Sequence, residues 1–275
     1  MDLSKIYKKR DDWAHKGQFG TVLVVAGCRD ICGSPVFNSI SALRAGADLV
    51  MVVSPTRSAD ICARFLPDVL TSPLRGDFLS NEHVPTILAL AEESDAVVLG
   101  GGLGRSHDIF EVIRKIISGV EKPMVVDAEG LRAIGQNHDI LKGKKVILTP
   151  HANEMEALIG KKVENDLNER KKVCQELAKA TGAAVLLKGH TDVVSNGHDI
   201  YLNQTGSPLM TKGGFGDTLA GICGALLSRG LDPYVAAGAG AYINGKAGEL
   251  ACKEFGEGVL ASDIFWQIPK VIAAK

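Results

Sequence analysis

No two cysteines in this chain are spaced C-x-x-C. Cys28, Cys32, Cys62, Cys174, Cys223 and Cys252 are scattered through apolar or helical stretches, which argues against a zinc or dithiol redox site and for reduced, mostly buried thiols. A run of ~20 apolar residues is absent, and the start, "MDLSKIYKKRDDWAHKG", has no apolar core segment. Neither a membrane span nor a secretory leader is therefore expected, and the expected location is the cytoplasm. The sequon Asn203-Gln204-Thr205 then has no consequence. An excess of one charge is lacking too: 31 Lys+Arg stand against 32 Asp+Glu in 275 residues, a formal net charge of −1. That balance, without long single-sign runs, argues against nucleic-acid or anionic-membrane binding and favours small-molecule chemistry.

Two common phosphate signatures also fail. "GAYINGKA" (240–247) matches G-x-x-x-x-G-K, but Ala247 replaces the Mg²⁺-binding Ser/Thr and no strand precedes it. "GGGLGRSH" (100–107) lacks the last glycine of G-x-G-x-x-G.

What is present is a chain that is 45% hydrophobic, enough to bury a large core. Short β-branched runs, "TVLVVAG" (21–27), "LVMVVSP" (49–55), "DAVVLGG" (95–101), "PMVVDAE" (123–129), "VILTP" (146–150) and "AVLLKG" (184–189), read as buried parallel strands. "SPVFNSISALRAG", "IFEVIRKIISGV" and "NERKKVCQELAKATG" carry helical spacing between them. The alternation predicts an α/β fold with a mostly parallel central sheet and helices on both faces. "TDVVSNGHDIYLNQTG" reads as a hairpin around Asn196-Gly197, placing an antiparallel pair near the sheet edge. Three apolar helices are expected from "DTLAGICGALLSRG", "PYVAAGAGAYINGKAGELACK" and "ASDIFWQIPKVIAA". No linker or repeat interrupts the pattern, so residues 1–275 read as one domain.

"TKGGFGDTLAG" (211–221) joins a glycine-rich turn to a helix. Gly213, Gly214 and Gly216, with Phe215 among them, let backbone N–H groups converge at the positive end of a helix, an anion cradle. A plain loop in which Asp217 caps its helix is the competing reading. Other polar residues follow predicted strands, where parallel α/β sheets bind ligands: "LGGGLGRS", "TPHANEME" and "KGHTD". Lys188 ends an apolar strand, where a buried cation needs an anionic partner, and a phosphate would supply one. His151 taken alone reads more as a surface histidine after a Pro turn than as a site residue. With Glu154 alone beside it, no metal site is expected.

Together these stretches resemble the ribokinase-like superfamily and, within it, the NAD(P)H-hydrate dehydratase family. "HKGQFGTVLVVAG", "ALRAGADLVMVVSP", "VVLGGGLGR", "MVVDAEGLRAI", "ILTPHANEMEAL", "VLLKGHTDVV", "NQTGSPLMTKGGFGDTLAGICGALLSRGLDP" and "GVLASDIFWQIP" occur in family order from His15 to Pro269. The resemblance implies a ribokinase-like fold. It also implies a reaction in which ADP or ATP, with Mg²⁺, phosphorylates the C6 hydroxyl of hydrated NADH or NADPH (the S form), and phosphate loss then restores the reduced ring. Carried over by position, Lys188, Gly189, His190, Thr191, Asp192 and Gly216 would line the adenine-nucleotide site. Ser34, Gly102, His151 and Asp217 would face the hydrated dinucleotide, with Asp217 as catalytic base. A homotetramer is implied as well, and an epimerase on another chain, since no epimerase domain is fused here.

The sequence departs from the family pattern at two turns. Phe215 stands where a small residue is usual, so its ring either narrows the cradle or enters the core. "CGSPVF" places Ser34-Pro35 where a Gly-Ala pair is common. The helix dipole would make Asp217 a weaker base, so positioning is expected to outweigh basicity. A ribokinase-like small-molecule kinase, of hydroxymethylpyrimidine or hydroxyethylthiazole type, and a non-catalytic nucleotide sensor share the same turn chemistry.

Overall fold

Val22, Leu23, Val24 and Val25 are wholly buried, because the strand that carries them, β1 (Thr21–Val25), has helices on both faces. The computed structural model describes residues 1–274. Its other strands are β2 (Leu49–Pro55), β3 (Leu70–Leu74), β4 (Ala96–Leu99), β5 (Met124–Val126), β6 (Val146–Leu148), β7 (Ala184–Leu187), β8 (Asp192–Ser195) and β9 (Ile200–Asn203). They form one sheet in the order β3-β2-β1-β4-β5-β6-β7-β8-β9. The pairs from β3 to β7 are parallel, while β8 runs antiparallel to both β7 and β9. The expected edge hairpin is thus present. Its turn is tied by Asn196 Oδ1, which accepts from the backbone N–H groups of His198 (2.9 Å) and Asp199 (2.7 Å).

Alternate residues of each strand feed two cores. Val22, Val24 and Val98 pack with helices α1 (Gly33–Arg44), α2 (Thr56–Phe65), α8 (Phe215–Ser228), α9 (Pro233–Phe255) and α10 (Ile268–Ala273). Leu23, Val25 and Val97 pack with α3 (Val84–Glu92), α4 (His107–Gly119), α5 (Glu129–Ile134), α6 (Ala152–Ile159) and α7 (Leu167–Thr181). Together these layers form the mostly parallel sheet with helices on both faces expected from the sequence. On the first face α8 presses against α1 at Gly221, where a Cβ would overlap the Asn38 carbonyl. That close approach brings the start of α8 to Ser34 and Asn38.

Several elements depart from the sequence reading. Strand β3 was not expected: its Pro73 disfavours an interior strand but is tolerated at the sheet edge, where β3 lies. The last expected helix is divided, with a 3₁₀ turn over Ala261–Trp266 and a new start at α10, whose Pro269 occupies the first turn. Three glycines of α9 pack closely inside the molecule. Gly240 meets Cys223, Gly245 meets Thr205 and Gly248 meets Met210, each too closely for a Cβ. Among the described residues no helix is long and apolar enough to cross a membrane, and all six cysteines are free.

Candidate active site

Six segments converge beyond the carboxyl ends of the parallel strands, and the start of α8 is at their centre. Gly214 is the residue before the first helical turn and adopts φ +102°, a left-handed conformation that favours glycine. No side chain caps this helix, so its first amides remain available to an anion. Asp217 lies within the first turn and is therefore not the capping residue of the plain-loop reading. Asn244 of α9 fixes the turn: its Nδ2 donates to the Phe215 carbonyl (3.3 Å) and its Oδ1 accepts from Thr218 Oγ1 (2.9 Å). Lys212 serves the neighbouring loop, donating to the carbonyls of Glu257 (2.6 Å) and Val259 (2.7 Å).

The Asp217 carboxylate points toward the Ser34 side of the site. Asn38 Nδ2 lies 3.4 Å from Asp217 Oδ1, and the Ser34 hydroxyl also donates to Asp217. Gly101 has no room for a Cβ beside Asp217 Oδ1, and Gly102 is crowded by Ile31 and Ser34. Burial pushes the Asp217 carboxyl up to about 7, the nearby Asp127 charge adds to the rise, and Ser34 and Lys188 oppose it. The helix dipole is therefore not the deciding influence: desolvation makes Asp217 a stronger base than the sequence suggested.

Asp127, at the end of β5, organises the opposite wall. Its Oδ1 accepts from Thr149 Oγ1 (2.7 Å) and from Lys188 Nζ (3.0 Å), while Glu154 Oε2 lies 3.8 Å from the same ammonium. Burial alone would lower the Lys188 pKa, but the carboxylates of Asp127, Glu154 and Asp217 outweigh it and raise it. Lys188 is thus a fixed cation. Gly216 completes the contact, since a Cβ there would lie 3.5 Å from Lys188 Nζ. His151 reaches this wall through Glu154: it caps α6, its N–H donating to Glu154 Oε2 (2.9 Å) and its Nδ1 accepting from the Glu154 N–H (3.3 Å).

Between Asp127 and the next acid, Glu129, lies Ala128 at φ +47°, the one described non-glycine residue with positive φ. This turn lets both neighbours face the site. Glu129 accepts from the Gly102 N–H (2.9 Å) and from Arg105 Nε (3.1 Å), fixing the loop after β4. Strain of this type costs of order 1–3 kcal/mol, partly offset in Ala128→Gly by the greater freedom of the unfolded chain. Ala128→Gly is expected to raise stability by about 1 kcal/mol, measured by urea denaturation, with a fall in turnover if the turn also aims the two acids.

In the turn after β7, the Asp192 carboxylate is occupied internally, accepting from the Gly189 N–H (2.9 Å) and from Asn203 Nδ2 (3.0 Å). Arg170 Nη2 donates to the Lys188 carbonyl (2.9 Å). Asp192 therefore shapes the turn, leaving Gly189 and His190 exposed and Thr191 half-buried. Gly213 is exposed with open space beside it.

Phe215 resolves the alternative left by the sequence, because its ring is 5% exposed and belongs to the core of the α8 face. Only its backbone borders the cradle. Phe215→Ser is expected to cost about 3–5 kcal/mol, as for other large truncations in cores. Turnover per folded molecule should be largely retained, a combination read from denaturant melts and active-enzyme titration.

Sequence reasoning missed Asp127, Glu129, Thr149, Asn38 and Asn244. The first three lie at the carboxyl ends of the predicted strand segments 123–129 and 146–150, so their position was an available signal. Asn38 and Asn244 lie inside helical runs and gave none. Among the described residues no group of three or more His, Cys, Asp or Glu side chains is placed to hold a metal ion.

The sequence model for NAD(P)H-hydrate dehydratase matches residues 22–270. The bifunctional NAD(P)H-hydrate repair enzyme of Pyrobaculum aerophilum is 39% identical over 268 residues, covering 97% of this chain and 53% of that enzyme. The chain thus spans about half the length of such relatives. The ADP-dependent (S)-NAD(P)H-hydrate dehydratase of Nitrosopumilus maritimus is 35% identical, with 98% of this chain and 94% of that one covered. In solved structures, the ADP/ATP-dependent NAD(P)H-hydrate dehydratase of Bacillus subtilis, co-crystallized with ATP/Mg²⁺, superposes with a TM-score of 0.86 at 25% identity over 99% of this chain and 95% of that one. By sequence along nearly its whole length, and with a fold to match, this chain belongs to the NAD(P)H-hydrate dehydratase family.

Proposed function

We propose that residues 1–275 act as one domain that restores hydrated NADH or NADPH, in the S form, to the reduced dinucleotide at the expense of ADP or ATP. The observation that carries this reading is the juxtaposition of a raised Asp217 carboxyl with an uncapped, glycine-built helix start. One part suits a base, the other a transferring phosphoryl group.

Asp217 takes the proton of the C6 hydroxyl as the nucleotide's terminal phosphoryl group passes to that oxygen. A base with a pKa near 7 is half ionised close to neutral pH, where general-base catalysis works best. Asn38 and Ser34 orient the carboxylate. The amides of Gly214 to Gly216 receive negative charge on the phosphoryl oxygens without a side chain in the way. Cleavage of the C6–O bond then releases phosphate, and loss of a proton from C5 re-forms the ring double bond. Lys188, held by Asp127 and Glu154, supplies positive charge beside Gly216 for the nucleotide phosphates, with Gly189 to Asp192 as the turn beneath them. His151, Gly102 and Ser34 form the rim that faces the dinucleotide.

Asp127 and Glu154 are already paired with Lys188 and Glu129 with Arg105, so these three acids do not constitute a resident Mg²⁺ cage. Mg²⁺ is accordingly assigned to the incoming nucleotide as part of that substrate. A cytoplasmic location fits six free thiols, and a homotetramer is proposed from the family resemblance.

The reading is tested by incubating hydrated NADH with ADP, with ATP and without nucleotide. Near-ultraviolet absorbance should return only when a nucleotide is present. Return at the same rate without nucleotide, or none with either, would overturn it.

A further inference from the structure

A cleft of about 590 Å³ lies at the far end of the same sheet edge, lined by Thr56, Arg57, Asp60, Ile61, Arg64 and Asp77. Arg57, Asp60 and Arg64 are exposed and recur at helical spacing along α2, so they share a face. Neither arginine has an ion pair, hydrogen bond or ring contact among the described residues, whereas Asp77 is neutralised by Arg29 at 2.9 Å. With Asp60 as the remaining counter-charge, the cleft keeps one positive charge in excess and two free guanidinium groups.

Its position relative to the active site gives those groups a use. Lys188 and its turn occupy the β7 side of the site, so the nucleotide takes that direction. The dinucleotide, with its nicotinamide end between His151 and Ser34, then extends from Asp217 across Gly102 toward β1, β2 and β3. The surface in that direction is continuous: Ile31 packs on Gly102, the Arg29 N–H donates to the Asp77 carbonyl (2.8 Å), and Asp77 lines the cleft. β4 and β3 are three strand spacings apart, ~14 Å, a distance that a pyrophosphate bridge between two nucleosides can cover.

We propose that this cleft receives the adenosine end of the hydrated dinucleotide, and that Arg57 and Arg64 pair with a phosphate on its ribose 2′-oxygen. The proposal rests on the dehydratase reading and adds to it a basis for preferring hydrated NADPH over hydrated NADH. Guanidinium groups suit this task because they bind phosphate through two parallel hydrogen bonds.

The test compares kcat/KM for the two hydrates in the unaltered protein and in the Arg57→Ala/Arg64→Ala double variant, both changes being at exposed positions. The ratio of hydrated NADPH to hydrated NADH should fall by about tenfold or more, the scale expected for lost charge-assisted contacts, with kcat on hydrated NADH retained. An unchanged ratio, or equal losses on both substrates, would overturn the proposal. If the unaltered protein turned over neither hydrate, the dehydratase reading itself would fail, and calorimetry with 2′-AMP would decide the cleft separately. Binding that weakens in the double variant supports the cleft, while no binding, or equal binding, refutes it.

Discussion

Asp217→Asn is expected to lower the dehydration rate by ~10²-fold or more, the usual contribution of a positioned base, with nucleotide affinity little changed. The substitution keeps shape and can retain the Ser34 contact, but the amide cannot accept the proton. Wild-type activity should decline as pH falls through about 7, since the carboxyl must be ionised to act. The residual activity of the variant should lack that step.

Stability moves in the opposite direction. Asp217 has a folded-state pKa of about 7, above its ordinary 3.8, so the folded form holds the proton more tightly than the unfolded one. Its stabilising contribution is fully present below about pH 3.8 and is lost as pH rises through about 7, where a partly buried carboxylate must carry charge. Asp217→Asn should therefore melt higher than wild type at pH 8.5, by on the order of 1–3 kcal/mol, with a smaller gain at pH 5.5. A variant that loses stability at pH 8.5 and keeps its rate would instead indicate a structural role for Asp217.

Lys188→Ala carries the second large effect. Asp127 and Glu154 are 7% and 6% exposed at their side chains and share this one ammonium. Its removal leaves Asp127 without its counter-ion and Glu154 with only the His151 ring, at 3.3 Å, a class of change that costs about 3–5 kcal/mol. Nucleotide affinity should fall as well. The sequence suggested a phosphate as the partner of Lys188 and showed neither acid. Adding Asp127→Asn to Lys188→Ala should recover part of the stability but not the affinity. Chemical denaturation and calorimetry, both at neutral pH, measure each part.

The legible parts of this molecule were those with strong local patterns. β1, β2 and β4 to β7 were readable because strands buried on both faces are continuous apolar runs, and Asn196-Gly197 marked the hairpin by turn chemistry alone. β3 escaped because "LTSPL" is half exposed and interrupted by Pro73, as an edge strand permits. At the site, Asp217, Lys188 and Gly216 could be selected because each borders a sharp change of pattern. Their mutual arrangement could not, since the Lys188–Asp127 pair joins residues 61 positions apart. The basicity of Asp217 was misjudged for a related reason: the helix dipole is a local property, while desolvation depends on what the fold places around the carboxyl. Phe215 shows the same limit, because only the packing of α8 against the sheet decides where its ring goes.

The central claim is that nucleotide consumption and dehydration are one reaction at this site. It is tested most directly by following reduced nicotinamide, free phosphate and nucleotide together in a single incubation of the protein with hydrated NADPH and ADP. The account predicts equal amounts of reduced dinucleotide and phosphate formed per nucleotide consumed. A stable phosphorylated product, or nucleotide consumed without restored NADPH, would contradict it.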